Sequence, residues 1–270
     1  MLRALFWILL VTLSATTAWA QTDRVLVQST TSTQNSGLYD YLLPLFKADT
    51  GFHVAVVAVG TGQALRNARN GDADVLLVHA RAEEEAFVAE GYGVARHDLM
   101  YNDFVLVGPH SDPIGLSPLR ELDAVMARIA QGRAKWLSRG DDSGTHKKEQ
   151  ELWAITDLEA AMQPSSWYLE AGTGMGSTLR LAVEIGGYTL TDRATWIAFA
   201  GKGNHRIVWE QEPSLWNQYG IIAVNPDRFP HVNAKGAQAF VDWMLSPRGQ
   251  SLIASYRVEN QQLFFPNADR

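Results

Sequence analysis

In the first third of the chain, segments with the apolar spacing of a β-strand alternate with segments that have the apolar spacing of a helix. Strand-like runs of alternating or continuous apolar residues occur at 24–29 (RVLVQS), 53–60 (HVAVVAVG) and 72–80 (DADVLLVHA). Between the first two runs, apolar residues recur on one helix face from 38 to 46, and 60–71 favours a short helix before the third. This order of strand, helix, strand, helix and strand predicts a parallel α/β unit.

Two further strand-like runs each end at a proline. They are NDFVLVGP at 102–109 and YGIIAVNP at 219–226. We interpret them as the crossings between two α/β lobes, with lobe one at 22–108 plus 222–270 and lobe two at 109–221. A cleft between two lobes that are hinged on two strands suits a ligand that becomes enclosed. One larger α/β domain with an insertion is the alternative.

Prolines also mark the predicted helices. Pro44 lies inside the first helical pattern, where its missing N–H predicts a kink or two shorter helices. Near the C-terminus, 234–256 has a strong helical pattern, and Ser246 followed by Pro247 predicts that a new helix starts within it.

The first twenty residues differ in pattern from the rest of the chain. A positive charge near the start precedes an apolar run from Ala4 to Leu13, and Ala18-Trp19-Ala20 follows, which is the order typical of a secretory signal peptide. The apolar run is shorter than a bilayer span, which disfavours a membrane anchor. We therefore expect the signal peptide 1–20 to be cleaved after Ala20 and the protein to be soluble in the periplasm.

Composition narrows the possible partners. The 270 residues are 46% hydrophobic and 19% charged with a net charge of −6, so no basic excess indicates nucleic acid or an anionic membrane surface. The chain has no cysteine, which excludes disulfides and the lipidated cysteine of a lipoprotein. Its seven histidines lack the spacing of a metal site. We expect a monomer without a cofactor.

Four predicted strand-to-helix junctions are rich in hydroxyl and glycine residues. Such junctions gather at the carboxyl ends of the strands, where helix N-termini offer unpaired N–H groups and a partial positive charge. Plain helix capping explains any single junction, but four of them together favour a bound anion. The junctions are 29–33 (STTST), 60–62 (GTG), 143–145 (SGT) and 172–178 (GTGMGST).

The third junction belongs to a charged stretch, SRGDDSGTH at 138–146. Arg139 offers a planar fork for bidentate contact with an oxyanion, and the ordinary alternative is an ion pair with Asp141 or Asp142. These two carboxylates would repel a fully ionised anion. The residues alone leave open whether Asp141 faces the ligand.

These motifs, in this order, resemble those of the tungstate-binding receptors of bacterial ABC transporters. The likeness covers most of the chain after residue 20 and rests on TTSTQNSGL, VGTGQA, GDADVLLVHA, SRGDDSGTH and AGTGMGSTL. The R-x-D-x-SGT core also occurs in the related phosphate-binding receptors. The resemblance implies the type II periplasmic binding-protein fold, a cleft that closes over one oxyanion, and delivery to a membrane permease with its ATPase. Tungstate is the expected ligand, molybdate a close competitor and phosphate the alternative.

The resemblance also implies which residues contact the ligand. All but one of them carry a hydroxyl group, and every one lies in or beside the four junctions. The family's first motif is often a run of threonines, and the serines at 29 and 32 leave open which hydroxyl makes the contact. The set is Thr30, Thr31, Thr61, Arg139, Ser143, Thr145, Ser177 and Thr178.

Protonation separates the two classes of oxyanion. Phosphate keeps at least one proton at neutral pH, and a receptor carboxylate can accept that hydrogen bond, whereas tungstate and molybdate present acceptors only. For an oxometallate receptor we therefore expect Asp141 and Asp142 to turn away from the ligand and to orient Arg139 or cap the helix near Ser143. For a phosphate receptor we expect Asp141 to reach the ligand.

A periplasmic hydrolase is the alternative outside the receptor class, because Ser143 and His146 are close in sequence. The chain has no G-x-S-x-G elbow at Ser143, so we do not expect an enzyme. His79, at the end of a strand, is interpreted as a core or turn histidine with its hydrogen bonds satisfied. The acidic run 83–85 is interpreted as a solvated helix start, and most tryptophans are assigned to the core.

Overall fold

The computed structural model describes residues 23–156, 165–210 and 213–268, so the predicted signal peptide lies outside the described residues. The strands are β1 (Arg24–Thr30), β2 (His53–Val59), β3 (Val75–Val78), β4 (Gly93–Pro109), β5 (Trp136–Ser138), β6 (Tyr168–Glu170), β7 (Thr189–Asp192), β8 (His205–Trp209), β9 (Trp216–Val224), β10 (Arg257–Val258), β11 (Gln261–Gln262) and β12 (Phe265–Pro266). The helices are α1 (Thr31–Asn35), α2 (Leu38–Thr50), α3 (Thr61–Arg69), α4 (Arg81–Ala89), α5 (Leu122–Gly132), α6 (Gly144–Ile155), α7 (Met175–Ile185), α8 (Arg193–Ala198), α9 (Ala234–Leu245) and α10 (Pro247–Ser255).

The main sheet has the strand order β12-β4-β9-β3-β1-β2. β1 pairs in parallel with β2 and β3, as the alternation of strands and helices predicts, because a helical crossover returns the chain in the same direction. β9 is antiparallel to both β3 and β4. The sheet is therefore mixed, with a parallel part that the sequence predicts and an antiparallel part that it does not.

β4 and β9 are the two strands that join the lobes. The first part of β4, up to Asp103, pairs with β9 and β12, and its last part, from Phe104 to Pro109, pairs with β7 and β8. The sheet partners of β4 therefore change between Asp103 and Phe104. The molecule consists of two α/β lobes on these two strands, while the lobe bounds 22–108 with 222–270 and 109–221 stay a prediction.

Both faces of the central strands are buried. In β3, Val75 and Leu77 belong to the core beneath α2 and α9, while Leu76 and Val78 belong to the core beneath α3 and α4. The last part of β4 alternates in the same way between two cores of lobe two. A strand with helices on both faces is apolar at every position, which is why these segments are continuous apolar runs in the sequence.

Several helix features differ from the sequence expectations. α2 is a single helix with Pro44 inside it, because burial of its apolar face on the sheet compensates for one lost hydrogen bond. The short helix α1 and the first nine residues of β4 were not predicted. Ser246 does cap α10 as predicted, since its Oγ accepts from Gly249 N at 3.1 Å.

The acidic start of α4 is only partly solvated. Glu84 is fully buried, where it accepts from Ala80 N at 2.6 Å and from Arg96 Nε at 2.7 Å. Burial raises the pKa of Glu84 to about 7, against the opposing effect of the Arg96 charge. The middle residue of the run 83–85 therefore fixes α4 to the sheet. The core assignment of the tryptophans holds for Trp136 and Trp153, which pack edge to face with centroids 5.6 Å apart.

Candidate functional site

Four helix N-termini meet where the two lobes face each other. α1 and α3 follow β1 and β2 in lobe one, and α6 and α7 follow β5 and β6 in lobe two. Ser32 Oγ lies 3.3 Å from His79 Nε2, and a Cβ atom on Gly144 would lie 3.1 Å from Thr61 Oγ1. Arg139 Nε donates at 3.1 Å to a carbonyl of the loop before α7. The four predicted junctions therefore lie together, and each supplies N–H groups without intrahelical partners.

The buried hydroxyl groups of the first junction bond to one another. Thr30 is the N-cap of α1, and its Oγ1 lies 2.7 Å from Thr33 Oγ1 and 3.1 Å from Ser32 Oγ. These three residues are buried, whereas Thr31 at the first position of α1 is partly exposed. Because each hydroxyl group has one proton to donate, the network restricts the direction in which each of them can donate.

Arg139 is a buried fork in lobe two. Its side chain is 4% exposed. Nε donates to Thr173 O at 3.1 Å and to Asp141 Oδ2 at 3.2 Å, and Nη2 donates to the same carboxylate oxygen. Within the described part of the chain, Nη1 has no hydrogen-bond acceptor. The guanidinium group therefore keeps a donor available in a fixed orientation.

Both carboxylates after Arg139 engage protein groups. One oxygen of Asp141 accepts from Arg139, and the other accepts from Ser143 N at 3.2 Å. Asp142 pairs with Lys147 Nζ at 2.8 Å and with Arg66 Nη1 at 3.6 Å. The hydrogen bond from Lys147 lowers the pKa of Asp142. This is the arrangement expected of a receptor for a fully ionised anion.

The third junction is organised as a helix cap. Ser143 Oγ accepts from His146 N at 3.2 Å, and His146 Nδ1 accepts from Asp142 N at 3.2 Å. Of these described groups, the Ser143 hydroxyl and the His146 ring do not bond to each other, so they do not form the activated pair of a hydrolase. Thr145, in the first turn of α6, is buried at the same junction.

The two hydroxyl residues of the fourth junction have different surroundings. Thr178 is buried, and its Oγ1 donates to Thr173 O at 3.3 Å and to Gly174 O at 3.2 Å. Its proton is therefore committed to the same loop that binds Arg139. Ser177 is partly exposed, and its Oγ accepts from Arg180 Nη2 at 3.5 Å, which leaves its own proton available.

Two buried polar atoms of the site lack a hydrogen-bond partner among the described residues. They are Thr61 Oγ1 and His79 Nδ1. His79 is buried as expected, but the expectation that all its hydrogen bonds are satisfied is wrong for Nδ1. Buried polar atoms almost always find a partner, so these two atoms beside the cleft are candidates for contact with a bound ligand. The signal in the sequence was the position of His79 at the carboxyl end of a strand, where ligands bind.

Sequence reasoning also missed Asp192. It is buried at the end of β7 and caps α8, because it accepts from Thr195 N at 2.8 Å and from Thr195 Oγ1 at 2.6 Å. Burial raises the pKa of Asp192, while the bonds from Thr195 and the positive charge of Arg139 oppose that rise. Asp192 and Arg139 therefore interact electrostatically, and the negative charge of Asp192 partly offsets the positive charge of Arg139 when the carboxyl group is ionised.

The rim of the site carries ion pairs between the lobes. Lys147 of α6 lies 2.6 Å from Glu83 of α4 and also contacts Asp142. A cleft of about 790 Å³ opens beside these residues and is lined by His79, Gly144 and Lys147, together with residues of β4 and β9. The site therefore borders a cleft between the lobes that is much larger than one tetrahedral anion.

The described residues contain no group of three or more His, Cys, Asp or Glu side chains that could hold a metal ion. Among the same residues, no helix combines the length and the apolar character needed to cross a membrane.

Comparison with known proteins gives one consistent result. A family model described as a PBP superfamily domain matches residues 15–248. The tungstate-binding protein TupA of Peptoclostridium acidaminophilum is 49% identical over 249 residues, which is 90% of this chain and 86% of that protein. The solved structure of TupA from Desulfovibrio alaskensis G20 is 44% identical with a TM-score of 0.80, over 91% of this chain and 99% of that one. A structure described as the tungstate ABC transporter from Geobacter sulfurreducens is 45% identical with a TM-score of 0.79, over 86% of this chain and 98% of that one.

Proposed function

The chain belongs to the PBP superfamily and, within it, to the tungstate-binding proteins. We propose that it is the tungstate receptor of an ABC transporter and that it binds the anion as follows. Its fold is the type II periplasmic binding-protein fold, with a ligand cleft between two lobes on β4 and β9. The ligand lies in this cleft, where the four helix N-termini meet, and is released to the transporter when the lobes separate.

The orientation of Asp141 is the observation that carries the choice of ligand. Both of its oxygens already accept from the chain, one from Arg139 and the other from Ser143 N, which supports a role in orienting Arg139 and capping α6 over contact with the ligand. Tungstate and molybdate have no proton to donate at neutral pH and are bound by donors alone. Protonated phosphate would leave its own O–H without this acceptor. The arrangement supports an oxometallate ligand.

The proposed contacts come from both lobes. Thr61 Oγ1 donates from lobe one, and Arg139 Nη1, Thr145 and Ser177 donate from lobe two together with helix N–H groups. Thr30 and Thr178 shape the junctions through their internal bonds. Ser143 caps α6 with its Oγ as the acceptor and keeps its own proton to donate, and Thr31 adds a partly exposed hydroxyl. Charge-assisted bonds contribute about 1.5–3 kcal/mol and neutral bonds roughly 1 kcal/mol. Several such bonds together provide a binding free energy of roughly 8–12 kcal/mol, which corresponds to micromolar to nanomolar affinity, after the entropy lost on binding is subtracted.

The proposal also covers the location of the protein, its oligomeric state and its partners. The chain is exported by its signal peptide, acts as a monomer in the periplasm, and presents its ligand to a permease with its ATPase. It needs no cofactor, carries out no catalysis, and binds no nucleic acid.

Calorimetric titration of the protein, residues 21–270, with tungstate, molybdate, phosphate and sulfate in turn tests the proposal. Tungstate is expected to bind tightly with one-to-one stoichiometry, and phosphate is expected to give no binding heat. Tight phosphate binding would assign Asp141 a direct role and reject the oxometallate ligand, while absence of binding by all four anions would reject the receptor function.

A further inference from the structure

His79 is a buried group of the cleft that the contacts above leave unused. It directly follows β3, is 8% exposed, and its ring lies against Tyr219 with centroids 4.8 Å apart. Its Nδ1 atom has no hydrogen-bond partner among the described residues. An unpaired buried polar group is destabilising because it has lost its bonds to water, so the site gains if a ligand supplies the missing partner.

The unpaired edge of the ring faces the opposite lobe. A Cβ atom on Gly144 would lie 2.6 Å from His79 Nδ1 and 3.1 Å from Thr61 Oγ1. Gly144 is the first residue of α6, so Nδ1, Thr61 Oγ1 and the N–H groups of this helix end share one small region. Thr61 Oγ1 is itself buried and unpaired. Polar atoms without partners beside a helix N-terminus suit a ligand that offers acceptors.

The other ring nitrogen connects to the hydroxyl network of the first junction. Nε2 lies 3.3 Å from Ser32 Oγ, which lies 3.1 Å from Thr30 Oγ1, and that atom lies 2.7 Å from Thr33 Oγ1. If Thr33 donates to Thr30, Thr30 to Ser32 and Ser32 to Nε2, each hydroxyl proton is used once. The imidazole proton then resides on Nδ1. The reverse order would turn the Nδ1 lone pair toward the anion, which is repulsive.

We propose that His79 is a ligand-contacting residue whose Nδ1–H donates to the bound oxyanion while the ring remains neutral. The inference rests on the proposed function, since it takes a ligand with acceptors only. Ser32 acts through His79 and is a positioning residue, because its hydroxyl holds the tautomer that keeps the proton on Nδ1.

The surroundings of His79 keep the ring uncharged. Burial lowers the pKa of His79 to about 4, the side chain of Asn217 opposes that fall, and the positive charge of Arg139 acts in the same direction as burial. At neutral pH His79 is therefore a neutral donor that adds no charge to the site.

Two substitutions of similar size separate the ring nitrogens. In His79→Asn the amide NH₂ reaches the place of Nδ1, and in His79→Gln it reaches the place of Nε2. His79→Asn is expected to bind tungstate within about threefold of the unmodified protein, and His79→Gln about 10- to 100-fold more weakly, because only the latter loses the bond to the anion. Calorimetry with sodium tungstate measures both, and thermal unfolding without ligand shows that both are folded.

His205→Gln is the matched control. His205 is also a buried histidine with an unpaired Nδ1, and its Nε2 lies 2.9 Å from Gly187 O, but it is on β8 outside the cleft. Its substitution is expected to leave tungstate affinity unchanged.

The outcomes separate this inference from the proposed function. Failure of the unmodified protein to bind tungstate would reject the function itself. If the unmodified protein binds, tungstate affinity of His79→Gln within about twofold of it, or equal losses in both His79 variants, would overturn the role of Nδ1. Nitrogen-15 spectra of the histidine rings in the unmodified protein with bound tungstate give a second test. They are expected to show His79 protonated on Nδ1 and not on Nε2, and the opposite assignment would overturn the inference.

Discussion

Arg139 illustrates at the residue scale how one side chain is prepared for an anion. Its Nε and Nη2 atoms are committed to Asp141 and to Thr173 O, so the free Nη1 atom has a fixed direction before any ligand binds. The carboxylate that appears in the sequence to repel an anion is the group that provides this orientation. Ordering the side chain in advance removes an entropy cost from the binding step.

The fork shape of Arg139, and not only its charge, is expected to determine affinity. Arg139→Lys keeps the charge but cannot hold Asp141 and Thr173 O while also donating to the anion. Tungstate affinity is expected to fall about tenfold or more, measured by calorimetry. Arg248→Lys, which changes an exposed fork on Asp49, is the control and should bind normally. Unchanged affinity of Arg139→Lys would place the anion elsewhere.

At the scale of elements, the first turn of α6 combines three functions in three residues. Ser143 caps the helix, Gly144 contacts the other lobe, and Thr145 is a buried hydroxyl in the site. Glycine is required at the middle position because His79 and Thr61 approach its Cα from lobe one. Capping alone would permit any small residue there, so the glycine is explained by the opposite lobe and not by the helix.

Gly144→Ala is expected to weaken binding by hindering closure of the lobes. The added Cβ would lie 2.6 Å from His79 Nδ1, and overpacking of this kind costs about 1–3 kcal/mol, which corresponds to about 5- to 150-fold in tungstate affinity. Alanine favours a helix by about 1 kcal/mol over glycine, so the thermal stability of the ligand-free protein should not fall. Calorimetry and thermal unfolding measure the two quantities.

Gly132→Ala is the control for this substitution. Gly132 ends α5, where an added Cβ would meet only Ile114 at 3.7 Å. Its tungstate affinity should equal that of the unmodified protein, and an equal affinity of Gly144→Ala would contradict the contact between the lobes at this residue.

At the scale of the whole molecule, ion pairs at the rim of the site join the two lobes, in addition to the hinge strands and the packing of α8 against the core of lobe one. Lys147 joins Glu83 and Asp142, and Asp142 also contacts Arg66. These side chains are partly exposed, so each pair contributes little and is screened by salt. Ion pairs that each contribute little free energy suit a receptor whose lobes must also separate.

Lys147→Met is expected to favour the open state. Loss of its ion pairs should raise the dissociation constant for tungstate about two- to fivefold at low ionic strength and should reduce the dependence of affinity on salt. Lys148→Met, which among the described residues removes an ion pair with Glu151 on the same helix and none with lobe one, is the matched control. Equal salt dependence in Lys147→Met and the unmodified protein would show that this cluster does not contribute to closure.

Local patterns in the chain were enough to predict the parallel α/β unit, the two connecting strands and the four hydroxyl-rich junctions. These features depend on local periodicity and on strand-to-helix order, which neighbouring residues fix. The motif SRGDDSGTH also predicted that Arg139 contacts the ligand, and the charge argument predicted that Asp141 would turn away from the ligand if that ligand is fully ionised.

Which hydroxyl groups of the site are free to donate depends on contacts that form in the folded protein. Thr178 looks like Thr61 and Thr145 in sequence, but its hydroxyl proton is donated to carbonyl groups of its own junction. The sequence places His79 at the carboxyl end of a strand, but its unpaired Nδ1 and the burial of Asp192 depend on segments distant in the chain. Satisfaction of a hydrogen bond depends on what lies within about 3 Å in space, and that is set by the approach of the two lobes.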